Sequence, residues 1–241
     1  MIIAGLQKMS LLDYPEKVSC VIFTYGCNLR CPFCHNSDIV VNSPHDIIPE
    51  NAVFNFLKTR VGLIDGVVIS GGEPLLNLDI IDFAKEIKNL GFSVKVDTNG
   101  TLSDRLISLC ESGYVDYVAM DVKNSLTNYS STCGIDKIIA GKIVKSIQYL
   151  IGQDRVDYEF RTTVTNNLHG IEDIEEIARL ISGCKRYYIQ NFVNRDSVID
   201  KNCSPVSEVR LAAFLDVARS YIPNTYLRGV ELNDHNRNEG K

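Results

Sequence analysis

Short runs of β-branched and apolar residues alternate with longer stretches of helical period along almost the whole chain, a pattern that builds a parallel sheet with crossover helices. About six such units can be read. Strands are expected at Val18–Thr24, Gly66–Ser70, Ser93–Asp97, Val115–Asp121, Asp157–Thr165 and Arg186–Phe192, with another short one at Thr225–Arg228. Helices are expected near Glu50–Arg60, Leu78–Leu90, Ser103–Ser112, Asp136–Ile151, Ile171–Ile181 and Val206–Tyr221. Gly91, Gly113, Gly152 and Gly183 stand just past four of them, where helices end. No repeat, low-complexity tract or linker interrupts the alternation, and only Asn233–Lys241 reads as a frayed polar tail. The expected architecture is α/β: one domain over residues 1–241, folded as a partial barrel of six strand-helix units. In such folds ligands gather at the carboxyl ends of the strands.

The 241 residues are 45% hydrophobic and 23% charged, as in ordinary globular chains. A net charge of -5 and the lack of any Lys/Arg run argue against nucleic acid as a partner. No stretch reaches the roughly 18 apolar residues of a membrane span, and the first residues carry no export pattern, so a cytoplasmic protein without a membrane partner is expected. In that reducing compartment eight cysteines point to a metal or to catalysis more than to a disulfide framework.

Three of those cysteines follow the first expected strand. Cys27, Cys31 and Cys34 give a C-x3-C-x2-C spacing that can bring three thiolates to one soft metal centre. Structural zinc usually takes four protein ligands, whereas an iron-sulfur cubane on three thiolates keeps one iron open for another molecule. Cys31-Pro-Phe-Cys34-His35 also fits covalent haem attachment, which needs an exported protein. A chance grouping of structural cysteines is the bland alternative.

Further polar motifs close the next strands. Ser70-Gly71-Gly72-Glu73-Pro74 ends the second, where paired glycines let a ligand approach the backbone. Asp97-Thr98-Asn99-Gly100 ends the third, Asp121-Val122-Lys123 ends the fourth, and Arg161 lies on the fifth. Turn chemistry, helix caps and an ordinary salt bridge explain each of these taken alone.

Taken together, the C-x3-C-x2-C motif, with Phe33 before its third cysteine, and Gly-Gly-Glu-Pro resemble the radical S-adenosylmethionine superfamily. That resemblance implies a full or partial (β/α) barrel, here of six units. It implies one [4Fe-4S] cluster ligated by Cys27, Cys31 and Cys34, with S-adenosylmethionine chelating the fourth iron. One electron then cleaves the sulfonium to a 5′-deoxyadenosyl radical that abstracts hydrogen. By the same resemblance Phe33 lies near adenine, His35 sits at the site, and Gly71, Gly72 and Glu73 hold the methionine amino group. Asp97, Thr98, Asn99, Asp121, Lys123 and Arg161 line the S-adenosylmethionine site, with Lys123 reaching polar groups of the ligand and Arg161 a candidate for its carboxylate.

Gly5-Leu-Gln-Lys, Leu12-Asp-Tyr-Pro15, Val118–Lys123, Phe160-Arg-Thr-Thr163 and Leu227-Arg-Gly-Val230 resemble activating proteins of anaerobic ribonucleoside-triphosphate reductases. The implied partner is a glycyl-radical enzyme, first among them anaerobic ribonucleotide reductase, and the implied reductant a flavodoxin or ferredoxin. Glu16 departs from the pattern, since relatives carry glycine after Asp-Tyr-Pro. The early loop, Asp13 to Glu16, is expected to face the partner at the open barrel edge. A radical enzyme acting on a small molecule and a non-catalytic electron carrier are the rival readings.

Of the other residues, Cys20, Cys110 and Cys184 read as core thiols, and Cys133 and Cys203 occupy less regular stretches. His45, His169 and His235 read as solvated, and Gln190 and Asn191 are candidates for adenine contact to which the resemblance transfers no role.

Overall fold

A computed structural model describes residues 1–134 and 140–230. Eight strands form one sheet in the order β1-β2-β3-β4-β5-β6-β7-β8. They are β1 (Ile3–Ser10), β2 (Ser19–Thr24), β3 (Gly66–Gly71), β4 (Ser93–Thr98), β5 (Tyr117–Asp121), β6 (Asp157–Val164), β7 (Tyr187–Asn191) and β8 (Thr225–Arg228). From β2 onward every neighbouring pair is parallel, and the helices between them are the crossovers. Those helices are α1 (Ser37–Val41), α2 (Glu50–Lys58), α3 (Ile80–Asn89), α4 (Ser103–Glu111), α5 (Tyr129–Cys133), α6 (Ala140–Gly152), α7 (Ile171–Leu180) and α8 (Glu208–Tyr221).

The six expected strand-helix units are all present, and β1, α1 and α5 come in addition. β1 escaped the sequence reading because it pairs only with β2, antiparallel, and its Gln7, Lys8 and Met9 are exposed. An edge strand with one wet side lacks the apolar run that marks a parallel one. Gly91, Gly113 and Gly183 end helices with positive φ, whereas Gly152 is still the last helical residue of α6. The expected start of that helix at Asp136, and the tail Asn233–Lys241 with His235, lie outside the described residues.

Alternation along each strand sorts side chains to two faces. On the convex face Cys20, Ile22, Val67, Ile69, Val94, Val96, Val118 and Met120 pack beneath the helices. α7 shows how a helix is recruited there: Ile174, Ile177 and Ala178 are its buried stripe, and Asp173 in its first turn accepts the Gly170 N–H at 2.9 Å. Cys110 and Cys184 are buried in this core with Cys20.

The concave face is a different environment. Tyr14, Val21, Val68, Tyr117 and Ala119 form a small apolar plug, with Tyr14 and Tyr117 5.9 Å apart. Strand residues 66 and 93 lie level with Ser19 at the amino ends of the strands, and Tyr14 packs against Gly66 there. Tyr14 therefore closes the barrel floor instead of facing outward at its edge. The loop turns on a Lys17 N–H to Tyr14 carbonyl bond of 3.3 Å, with Pro15 and Glu16 at its corners. Glu16 has φ of 61°, the left-handed conformation that a glycine at that corner adopts without steric cost. This explains physically why a glycine suits the position better. Glu16→Gly should stabilise the protein by about 1 kcal/mol, seen as a higher urea midpoint at unchanged m; an equal or lower midpoint would contradict the strain.

Candidate active site

The carboxyl ends of β2 to β7 surround a cavity of about 360 Å³. Of the residues singled out in the sequence, Cys27, Cys31, Phe33, Cys34, His35, Gly71, Gly72, Asp97, Thr98, Asn99, Asp121, Lys123 and Arg161 all line it. Glu73 does not. Its carboxylate is wholly buried behind the wall, accepting from the Thr98 hydroxyl at 2.8 Å, the Asn99 N–H at 2.7 Å and the Leu75 N–H at 3.1 Å.

The two glycines before Glu73 serve contact between backbones. Gly72 N–H donates to the Thr24 carbonyl at 2.9 Å, and Glu73 N–H to the Gly26 carbonyl at 2.8 Å. A Cβ on Gly72 would lie 1.9 Å from the Gly26 carbonyl oxygen, and one on Gly71, whose φ is 112°, would lie 2.3 Å from the Thr24 nitrogen. The strand end and turn before the cysteines thus fill the space on the Cβ side of these glycines, while both glycines also line the cavity.

The Asn99 amide is likewise spent on that loop, donating to the Asn28 side chain at 2.9 Å and to Cys27 Sγ at 3.7 Å. A second contact fixes the Cys27 sulfur, from the Leu29 N–H at 3.4 Å. Burial pushes the Cys27 thiol up to about 11 and raises Cys34 as well. Interaction with the neighbouring Cys133 thiol lowers Cys31 despite its burial and raises Cys133 in turn. Cys133 is thus a fully buried thiol at the end of α5, and Cys203 is buried too.

A line of charge crosses the concave wall. Lys95, wholly buried, pairs with Asp97 Oδ1. Asp97 Oδ2 accepts from Ser70 at 3.0 Å and stands 3.5 Å from Arg161 Nη1. Arg161 Nε donates to Asp121 Oδ1 at 2.7 Å, and Lys123 Nζ donates to Asp121 Oδ2 at 2.9 Å. Burial works to raise Asp97 and Asp121, yet Arg161, with Lys95 at the first and Lys123 at the second, holds both below the ordinary carboxylate range. Burial would lower Lys123 and Arg161, and their carboxylate neighbours raise both instead. Lys95 stands behind the cavity, whose own charged lining, Asp13, Asp97 and Asp121 with Lys123, Arg161 and Arg195, is balanced. Deeper in the barrel Arg228 makes a bidentate pair with Glu159, at 2.7 and 2.9 Å, which also accepts the Tyr117 hydroxyl at 2.8 Å.

Lys95 went unread because an isolated lysine in an apolar strand carries no motif. The available signal was its spacing of two from Asp97, which puts both on one face. His169 was read as solvated and is buried, its Nε2 2.9 Å from the Lys123 carbonyl and its ring edge-on to Phe33 at 6.1 Å. Gln190 lines the cavity as expected, but the Asn191 side chain pairs with the Val206 backbone. His35 stacks on Phe192 and contacts the Val193 carbonyl at 2.7 Å. His45 is exposed.

The sequence profile of the Radical SAM superfamily matches residues 21–181. The chain belongs to that superfamily. A protein of Methanocaldococcus jannaschii, provisionally named a glycyl-radical enzyme activating enzyme, is 37% identical over 95% of this chain and 96% of its own length. The pyruvate formate-lyase-activating enzyme of Clostridium pasteurianum is 26% identical over 76% of this chain and 79% of its own. These relatives place the chain among the glycyl-radical enzyme activating enzymes. In fold, Streptococcus suis SuiB bound to S-adenosylmethionine superposes with a TM-score of 0.68 at 16% identity, covering 88% of this chain; the chain spans about half of SuiB, 52%. SuiB bound to its precursor peptide SuiA gives 0.69 at 18% identity, covering 88% of this chain and 49% of that one.

Membership of this superfamily brings S-adenosylmethionine and a [4Fe-4S] cluster, and the donor set fits them. Three thiols from one loop line a single cavity. Among the described residues no three His, Cys, Asp or Glu groups converge on a single-ion site. Thiols arranged this way suit a multi-iron group in which each takes its own iron. Gly72→Ala should therefore leave the sheet folded but lower iron uptake far below about four per chain, measured by iron and sulfide analysis after anaerobic reconstitution. Full loading would show that the loop tolerates the displacement.

The carboxyl of Glu73 gives a pH test. Burial, opposed by hydrogen bonds from Asn99, Thr98 and Leu75, pushes it up to about 7 from an ordinary 4.5. A raised carboxyl holds its proton more tightly in the folded state, so its contribution is complete below pH 4.5 and is lost as pH climbs to 7. Glu73→Gln removes this titration, so its unfolding free energy relative to the parent should rise across that window by at most about 3 kcal/mol. A difference independent of pH would show an unshifted carboxyl.

Proposed function

We propose that this activating enzyme takes a hydrogen atom from the Cα of a glycine in a partner protein, with anaerobic ribonucleotide reductase as the first candidate. The observation that carries this reading is one cavity that joins three thiols to the paired charges of Asp97, Asp121, Lys123 and Arg161, in a sheet whose end strands β1 and β8 do not pair with each other. An open edge admits a loop of another protein, and glycine, lacking a side chain, lets its Cα approach most closely. SuiB, which shares the fold, has been captured with a peptide.

Cys27, Cys31 and Cys34 ligate the cluster. Together, bound cluster and S-adenosylmethionine supply one-electron chemistry that removes a hydrogen atom from a C–H bond. Lys123 and Arg161, already charged and anchored by Asp121, present their N–H donors to the ligand's carboxylate without reorganising. Phe33 borders the adenine, Asp97 orients Arg161, and the glycines and Glu73 fix the loop's place. The low-potential electron comes from a flavodoxin or ferredoxin. Eight free cysteines suit a reducing cytoplasm, and no helix of the described residues is long and apolar enough to cross a membrane.

The test is to incubate the reduced enzyme and S-adenosylmethionine with a candidate partner carrying deuterated glycine. A glycyl electron-spin signal together with deuterium in 5′-deoxyadenosine is expected. If no glycyl-radical enzyme gave deuterium and a small metabolite supplied the hydrogen, the protein-substrate reading would fall.

A further inference from the structure

The backbone at Lys123 has an unusual anchorage. Residue 122 still belongs to the sheet's bonding: Val122 N–H donates to the Arg161 carbonyl at 2.8 Å, and its carbonyl accepts the Thr162 hydroxyl at 2.8 Å. Lys123 is the first residue released from it. Its N–H donates to the Tyr129 hydroxyl at 3.3 Å, and its carbonyl meets His169 Nε2 at 2.9 Å. Side chains from α5 and from the loop before α7, both buried, thus hold both backbone polar groups.

The tautomer of His169 follows from its other nitrogen. Nδ1 lies 3.1 Å from the Thr165 N–H, which can only donate, so Nδ1 is an acceptor and carries no proton. The proton of the neutral ring is therefore on Nε2, aimed at the Lys123 carbonyl. Burial lowers the pKa of this histidine and favours the neutral ring. The loop that carries it is fixed in turn: Arg210 of α8 donates to the His169 carbonyl at 2.8 Å, and Asn124 donates to the Leu168 carbonyl at 2.9 Å. The same ring backs Phe33, so one side chain spans from the lysine to the aromatic residue of the cysteine motif.

We infer that His169 and Tyr129 are positioning residues that clamp the Lys123 backbone and so aim its ammonium at bound S-adenosylmethionine. The inference rests on the reading of Lys123 as a ligand-facing residue. Neither side chain lines the cavity, so both act through Lys123, His169 also backing Phe33.

Two conservative replacements separate the bonds of His169. Asparagine can offer an oxygen where Nδ1 stands and keep the bond inside the loop, but it falls short of Lys123. Glutamine reaches Lys123 with an amide N–H in place of Nε2. In the anaerobically reconstituted full chain, His169→Asn and Tyr129→Phe should load iron like the parent and weaken S-adenosylmethionine binding about tenfold or more. Binding is read from the change in the reduced cluster's electron-spin spectrum on titration. His169→Gln should bind close to the parent. A purely structural histidine would show the opposite order, with Asn tolerated and Gln not.

Parent-like binding by His169→Asn at full iron content overturns the inference, and so does a Gln variant that loads iron yet binds as poorly as Asn. If His169→Asn fails to load iron, Tyr129→Phe decides: weakened binding at full loading supports the clamp, and unchanged binding overturns it. Unweakened binding by Lys123→Ala would bring down the underlying reading instead, even if the two clamp variants behaved as expected.

Discussion

A single buried carboxylate ties the strand ends of this site together. Glu73 lies beyond β3, yet its side chain takes N–H and O–H donors from the turn after β4 and from its own short turn. Its backbone N–H, with that of Gly72, reaches the turn after β2. Asn99 closes the circuit by returning from the β4 turn to Asn28 and Cys27. Parallel strands need long crossovers before they meet, so their ends are not neighbours by chain connectivity. The sheet ladder sets the spacing of the strands, and beyond it the Glu73 carboxylate and backbone join the turns that follow them, the cysteine loop among these.

The wall beyond this knot is built on charge and alternates in sign from Lys95 through Asp97, Arg161 and Asp121 to Lys123. Taking five charges out of water is costly, and each is tolerable only because an opposite charge with hydrogen-bonding geometry sits beside it. In the proposed reading Lys123 and Arg161 keep N–H donors for the ligand's carboxylate while Asp121 holds both in place. A wall built for stability alone would be better served by apolar residues of the same volume.

How much of this was legible in the sequence varied with the range of the interaction. The parallel strands were legible because burial on both faces leaves continuous apolar runs, as in Val67 to Ile69. The cysteine loop was legible because all three thiols lie within eight residues. Gly71 and Gly72 are legible as positions of close approach, but that the Thr24–Gly26 backbone lies on their Cβ side is not, because no local pattern names a partner about 46 residues away. Lys95 and His169 were missed or misread for the same reason. A lysine in an apolar strand and a histidine in a polar turn look solvated until the fold supplies Asp97 and the Lys123 carbonyl. β1 was missed because its dry side is a single edge contact.

The distribution of apolar and polar surface also limits how a large substrate can reach the cavity. The convex face is sealed by helices packed on Ile22, Ile69, Val96 and Met120. The floor is sealed by Tyr14 against Tyr117, Val21 and Val68. Among the described residues, what stays open is the rim of strand ends and the unpaired flank between β1 and β8. Asp13 lines the same cavity as the cysteines, although its neighbour Tyr14 plugs the floor. One short loop thus contributes a wall residue on the cavity side and a stopper on the other. A strained Glu16 at its corner makes that loop the part of the barrel whose conformation is held least by its own sequence and most by its packing.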